Sequence, residues 1–247
     1  MLFVAKTREE KAFRNNVLVL GLAIGAGYIF QTIGLLTTTT SKSAFLTSTA
    51  VIWTPFISLL TGREKLTLKL CIAVSCTLIG IFLMTHPFDS QGITIGDVFT
   101  LCCAAVFGVY IVWVDKALHS AIEITKDEHS AAMMVSSTQL VAASVMMLVF
   151  MPLMGPQKLI LTPYCIGALV FTALIVTGAT SYLQARYQNV VTPATAAVIY
   201  MLEPVVAMLI AEFFLTEQIG FAEVLGAGLI IVGVIIAQVR TSMRYEV

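Results

Sequence analysis

Eight apolar stretches, each near the roughly 20 residues of helix that a bilayer core of about 30 Å requires, leave this chain few ways to fold. They run approximately over 15–36, 43–61, 66–86, 95–114, 131–153, 163–184, 192–214 and 219–239, with short polar loops between them. Membrane strands are shorter and alternate in polarity. The expected fold is therefore an all-α membrane protein, a polytopic helical bundle of about eight transmembrane helices. A soluble alternative fails on charge: only 11% of residues are charged and 58% are hydrophobic, where soluble domains carry about 25% charged residues.

Local signals agree with these limits. Thr162-Pro163 and Thr192-Pro193 each place a hydroxyl N-cap before a proline at the first helical position, where its missing N–H costs nothing. His86-Pro87 and Gly155-Pro156 close the third and fifth spans, and Asp97 falls in the first turn of the fourth, where the helix dipole favours a carboxylate. The mixed-charge segment before residue 15 lacks the pattern of a secretory signal and reads as a cytoplasmic lead-in.

The basic residues orient the bundle. With the N-terminus inside, inner segments hold twelve Lys and Arg, and outer loops hold only Lys42 and Lys158. By the positive-inside rule both termini are cytoplasmic, and the expected location is a bacterial inner (plasma) membrane. The net charge of zero gives no footprint for nucleic acid. The five cysteines lie within apolar runs as small packing residues, the three histidines lack metal-ligand spacing, and no phosphate-cradling glycine loop is present. No cofactor and no metal is expected.

Comparing the chain with itself at an offset of 153 residues pairs Gly25 with Gly178, Gln31 with Gln184, Thr39 with Thr192, Ala44 with Ala197, Glu64 with Glu217 and Gly80 with Gly233. The offset covers five spans, an odd number, so the second copy enters the membrane in the opposite direction. Such inverted structural repeats underlie alternating access in secondary transporters. Spans one to three pair with six to eight, and a complete five-plus-five arrangement needs two more helices before Met1. A shortened chain and a mis-assigned start are both open readings of that difference.

The stretches TTTTSKSAFLTSTAVIWTPFISLLTGREKLTLKLCIAVSCTLIGIFL and VVTPATAAVIYMLEPVVAMLIAEFFLTEQIGFAEVLGAGLIIVGVIIA, with GDVFTLCCAAVFGVYIVWVDKAL between them, resemble the drug/metabolite transporter superfamily, EamA-like branch. The resemblance covers roughly residues 15–239 and lacks the first two of the family's ten helices. It divides the chain into a lead-in (1–14), a partial first EamA-like repeat of three spans (15–86), a second repeat of five spans (95–239) and a cytoplasmic tail (240–247). It implies transport of a small metabolite, often export.

Glu203 is the sharpest candidate site residue. A carboxylate near mid-span costs several kcal/mol unless paired, hydrated or protonated, and Pro204 after it removes a backbone bond and kinks the helix. It suits contact with a substrate amine or coupling to protons; the plainer reading is a protonated acid bonded to a neighbouring helix. Gln31 and Gln184 could line a cavity, form symmetric gates, or only join helices. Tyr28 and Tyr200 lie deeper than interfacial anchors and are cavity candidates, with Trp53 and Tyr110 beside them. Pro204, Thr192, Pro193, Gly80 and Gly233 read as structural, and Glu64 and Glu217 as caps of the helices that follow them. Gly21 and Gly25 form a GxxxG whose first meaning is close helix approach, with a homodimer the weaker one.

The expected function is a secondary-active carrier, an exporter of small metabolites such as amino acids or related compounds. It would work by rocking of inverted halves in the lipid bilayer, with a small-molecule substrate and protons as candidate coupling ion. A shortened, non-transporting membrane subunit is the alternative. An enzyme on lipid-linked substrates fits less well, because no cluster of acids, histidines or arginines gathers at one membrane face.

Overall fold

The computed structural model describes residues 7–86, 92–154, 162–215 and 219–238, and all regular structure among them is helical. The helices are α1 (Arg8–Gly34), α2 (Thr40–Ser48), α3 (Ala50–Leu60), α4 (Leu68–Thr85), α5 (Ile95–Thr125), α6 (Glu128–Phe150), α7 (Pro163–Phe171), α8 (Thr180–Tyr187), α9 (Pro193–Tyr200), α10 (Glu203–Leu215) and α11 (Phe221–Gln238). They compose eight apolar segments long enough to cross a membrane, three of them from consecutive pieces: α2 with α3, α7 with α8, and α9 with α10. The chain is therefore an integral membrane protein.

Hydroxyl caps set several starts. Thr39 accepts from the Lys42 N–H, Thr67 from Leu70, Thr162 from Cys165 and Thr192 from Thr195, each satisfying an orphan donor of the first turn. At the end of α4, His86 takes a left-handed conformation with φ 42°, a common helix stop. The proposed stop at Gly155-Pro156, together with Pro87, Glu217 and residues 240–247, lies outside the described residues. Two spans are longer than their apolar cores indicate. α1 begins at Arg8, inside the expected lead-in, and α5 continues from residue 114 to Thr125 because its polar positions fall on a helix that remains well packed.

The chain forms two compact units. The first comprises Met1–Ile29 and Trp113–Asn189. Within it α1 lies hard against α6: a Cβ on Gly21 would fall 2.5 Å from Ala142 Cβ, and one on Gly25 would overlap Met146. The GxxxG surface is thus used inside the chain. Asn16 donates to Ser120 Oγ at 2.8 Å, joining α1 to α5. α6 and α8 meet through an Arg186–Glu128 ion pair and a 2.7 Å contact between His129 Nδ1 and the Tyr182 hydroxyl. Between α7 and α8, residues Thr172–Ala179 are wound as a π-helix, and the apolar side chains of this sixth span, Leu174, Ile175 and Val176 among them, are exposed as a lipid-facing surface is.

The second unit comprises Phe30–Val112 and Val190–Val247, and it carries the repeat. The 153-residue offset superposes the limits of α4, Leu68 and Thr85, on those of α11, Phe221 and Gln238. These two helices pack along their lengths. A Cβ on Gly80 would fall 2.6 Å from the Gly226 carbonyl oxygen and from Ile230 Cγ1; one on Gly233 would fall 2.7 Å from Thr77 Cγ2 and 2.8 Å from the Ala73 carbonyl. The same offset carries Ala73 to Gly226 and Thr77 to Ile230. One contact is made twice, once from each copy, and the residue order shows that the helices run antiparallel.

Candidate functional site

The repeat has a second signature in this unit, a pair of interrupted helices. The first copy breaks at Thr49, between α2 and α3; the second breaks at Met201 and Leu202, between α9 and α10. At an offset of 153, Thr49 corresponds to Leu202 and Ala50, the first residue of α3, to Glu203, the first of α10. Both breaks use tightened turns: the Thr49 N–H donates to the Leu46 carbonyl at 3.1 Å, Met201 to Val198 at 3.1 Å and Leu202 to Ile199 at 3.0 Å. Pro204 then has no N–H to offer the Tyr200 carbonyl, which stops α9 from continuing into α10. The kink expected at Pro204 is thus a true interruption that begins three residues earlier, at Met201. Pro55 lies buried inside α3, so each copy carries a proline just past its break, although not at equivalent positions.

Glu203 lies midway along the span Pro193–Phe214, exposed, in the first turn of α10. Tyr200, half-buried, ends α9 on the other side of the break. α9 packs against α3, and Glu64 ties the start of α9 to the end of α3: its Oε1 accepts from the Ala194 N–H at 3.0 Å and from Ser58 Oγ at 3.3 Å. This corrects the reading of Glu64 as the cap of the following helix. Thr67 performs that task for α4, and the Glu64 carboxylate serves the N-terminus of α9 in the other repeat. The partner at Glu217 lies outside the described residues.

Trp53, partly exposed, sits where α3 crosses α5; a Cβ on Gly108 would meet Trp53 Cβ at 2.7 Å, so only glycine allows this approach. Tyr110 is buried on α5, edge-on to Phe107 with ring centroids 6.4 Å apart. Gln31 is half-buried near the end of α1. Five candidates, Glu203, Tyr200, Trp53, Tyr110 and Gln31, therefore belong to the second unit, and Tyr28 and Gln184 to the first. Tyr28 is partly exposed. Gln184 Nε2 donates to Gln188 Oε1 one turn along its own segment at 3.3 Å. Of the structural residues, Thr192 caps α9, Pro193 occupies its first turn, Pro204 follows the break, and Gly80 and Gly233 form the reciprocal contact.

Two ionic features escaped the sequence reading. Lys42 Nζ and Asp97 Oδ2 form a 2.6 Å ion pair with side chains only 12% and 6% exposed. Thr38 donates to Asp97 Oδ1 at 2.6 Å, the Thr94 N–H to Oδ2 at 2.8 Å, and Lys42 also donates to the Gly92 carbonyl. This knot holds the starts of α2 and α5 together. The second is Asp115, fully buried on α5, whose carboxylate lies 3.5 Å from His119 Nδ1. No local pattern pairs Lys42 with Asp97 across the intervening spans, whereas Asp115 was visible as an acid directly after an apolar run.

Antiparallel, repeat-related helices with matched mid-span breaks define a polytopic membrane protein of the inverted-repeat class, the architecture used by secondary transporters. The chain belongs to the EamA-like transporter family, whose sequence profile matches residues 1–86 and 94–238. It is a membrane transporter by that membership. It is 30% identical over 221 residues to an uncharacterized transporter of Archaeoglobus fulgidus, covering 90% of this chain and 68% of the relative. A crystal structure with 14% identity superposes with a TM-score of 0.69 over 92% of this chain and 87% of that one, a likeness of fold.

Proposed function

We propose that the protein is a secondary-active carrier that exports small metabolites such as amino acids or related compounds by alternating access. The observation that carries this reading is Glu203, a carboxylate at mid-span beside a helix break. In lipid such a group is strongly disfavoured; beside interrupted backbone that lines a hydrated path, it becomes a contact for a cationic group or a site for proton exchange. Tyr200 and Trp53 offer amphipathic rings on the elements that flank the breaks. The reciprocal α4–α11 contact supports two related halves that exchange roles as the carrier turns.

The reading is tested by counterflow in proteoliposomes. Vesicles loaded with unlabelled amino acids and related amines are diluted into the labelled compound, and transient accumulation above equilibrium is expected for at least one of them. A proton gradient that drives net movement of that compound supports proton coupling. Absence of counterflow across the whole panel overturns the carrier reading.

A further inference from the structure

We propose that Thr47 makes a second contact with the transported solute, whose class is a small organic ammonium ion bearing a hydroxyl or carbonyl group. This rests on the carrier reading above, with Glu203 as the cation contact. Thr47 is in the last turn of α2, two residues before the first break. Its Oγ1 is buried and has no hydrogen-bond partner among the described residues. Its neighbours behave otherwise: Ser48 Oγ donates to the Ala44 carbonyl at 2.7 Å, Thr49 Oγ1 to Leu46 at 2.6 Å and Thr54 Oγ1 to Ala50 at 2.8 Å. Bonding back to the helix is the ordinary way a hydroxyl is satisfied in an apolar span. A buried hydroxyl left without that bond is costly, and a solute that supplies the partner removes the cost.

The repeat places this hydroxyl at the site. The 153-residue offset carries Thr47 to Tyr200, just as it carries Ala50 to Glu203. Each break is therefore approached by a hydroxyl-bearing side chain at the same register, and only the second copy adds an acid. The Glu64 tie joins the end of α3 to the start of α9; from there, Tyr200 on α9 and Ile52 on α3 are each six residues away, a rise of about 9 Å. The two breaks thus come level within about one helical turn. A ligand spanning them meets an anion on one side and a hydroxyl on the other. A threonine hydroxyl both donates and accepts, so it serves a hydroxyl or a carbonyl alike.

The test uses the full chain in proteoliposomes with two permanently charged probes, choline and ethyltrimethylammonium, which differ by one hydroxyl. Wild type is expected to show a KM for choline about tenfold below that for ethyltrimethylammonium, the scale of one hydrogen bond. Thr47→Val should raise the choline KM to the ethyltrimethylammonium value and leave kcat and the second KM unchanged; Thr47→Ser should retain the preference. If Thr47→Val does not fold, Thr47→Cys provides the same comparison with a much weaker donor. An unchanged preference in the valine or cysteine variant, or no preference in wild type, overturns the Thr47 assignment and leaves the carrier reading standing. Counterflow of amino acids without movement of either probe overturns the ammonium class, and absence of all counterflow overturns the carrier reading itself.

Discussion

Gly80 and Gly233 occupy the same position in two copies of one contact, each pressed against the backbone of the other's helix. Close approach of this kind drives helix association in membranes, where apolar burial against lipid contributes little. Gly80→Ala and Gly233→Ala should each destabilise the protein by about 1–3 kcal/mol through overpacking, because the nearest obstacles include carbonyl oxygens that cannot rotate away. Gly228→Ala, with nothing within 4 Å on the same helix, should be neutral or slightly stabilising. Thermal unfolding in detergent separates them; equal melting temperatures for all three would contradict the reciprocal packing.

The Lys42–Asp97 pair is well enclosed, with side chains 12% and 6% exposed, and breaking it should be expensive. Asp97→Asn leaves Lys42 without its carboxylate and should cost about 3–5 kcal/mol. The apolar double replacement Lys42→Met with Asp97→Leu should recover much of that loss. A double variant as unstable as Asp97→Asn alone would show that the hydrogen bonds from Thr38 and Thr94, and not the charge pair, hold this corner.

Glu64 joins the two repeats by capping α9. Glu64→Ala should cost about 1 kcal/mol, the usual scale of a lost N-terminal cap, and should speed amide exchange at Ala194 and Thr195 first. Exchange that rises at the start of α4 instead would restore the simpler local cap.

Asp127, between the fifth and fourth spans, caps α6. Hydrogen bonds from the Ser130 side chain and N–H hold its carboxyl below the ordinary carboxylate range. A depressed carboxylate contributes stability above its unfolded value, and that contribution is lost as pH falls through the folded one. Wild type should therefore exceed Asp127→Ala in melting temperature at neutral pH, with the gap narrowing on acidification. A gap that widens at low pH would contradict the assignment.

The eight spans were legible because apolar length is a one-dimensional property, and the caps at Thr162 and Thr192 because they depend on adjacent residues. The repeat could be read from identities such as Gly80 with Gly233, but not the fact that these two meet each other. Thr49 carries no local breaker, so the first interruption was visible only through its relation to Leu202. Fourth-span residues beyond 114 looked like a loop because Asp115 and Lys116 are polar, yet Asp115 is buried beside His119. The Lys42–Asp97 knot and the Glu64 cap depend on chain segments that only tertiary packing brings together. Glu203 was found from its cost in lipid; Thr47 was missed because a threonine in an apolar span is unremarkable until its hydrogen bonds are counted.

The most direct measurement compares counterflow by wild type, Glu203→Asp and Glu203→Gln at equal reconstituted amounts. Loss of a contact between ions lowers kcat/KM for a cationic solute by about tenfold or more, so Glu203→Gln should fall by at least that factor while Glu203→Asp retains most of the activity. Equal counterflow by all three proteins would contradict the placement of the transport site at the break between α9 and α10.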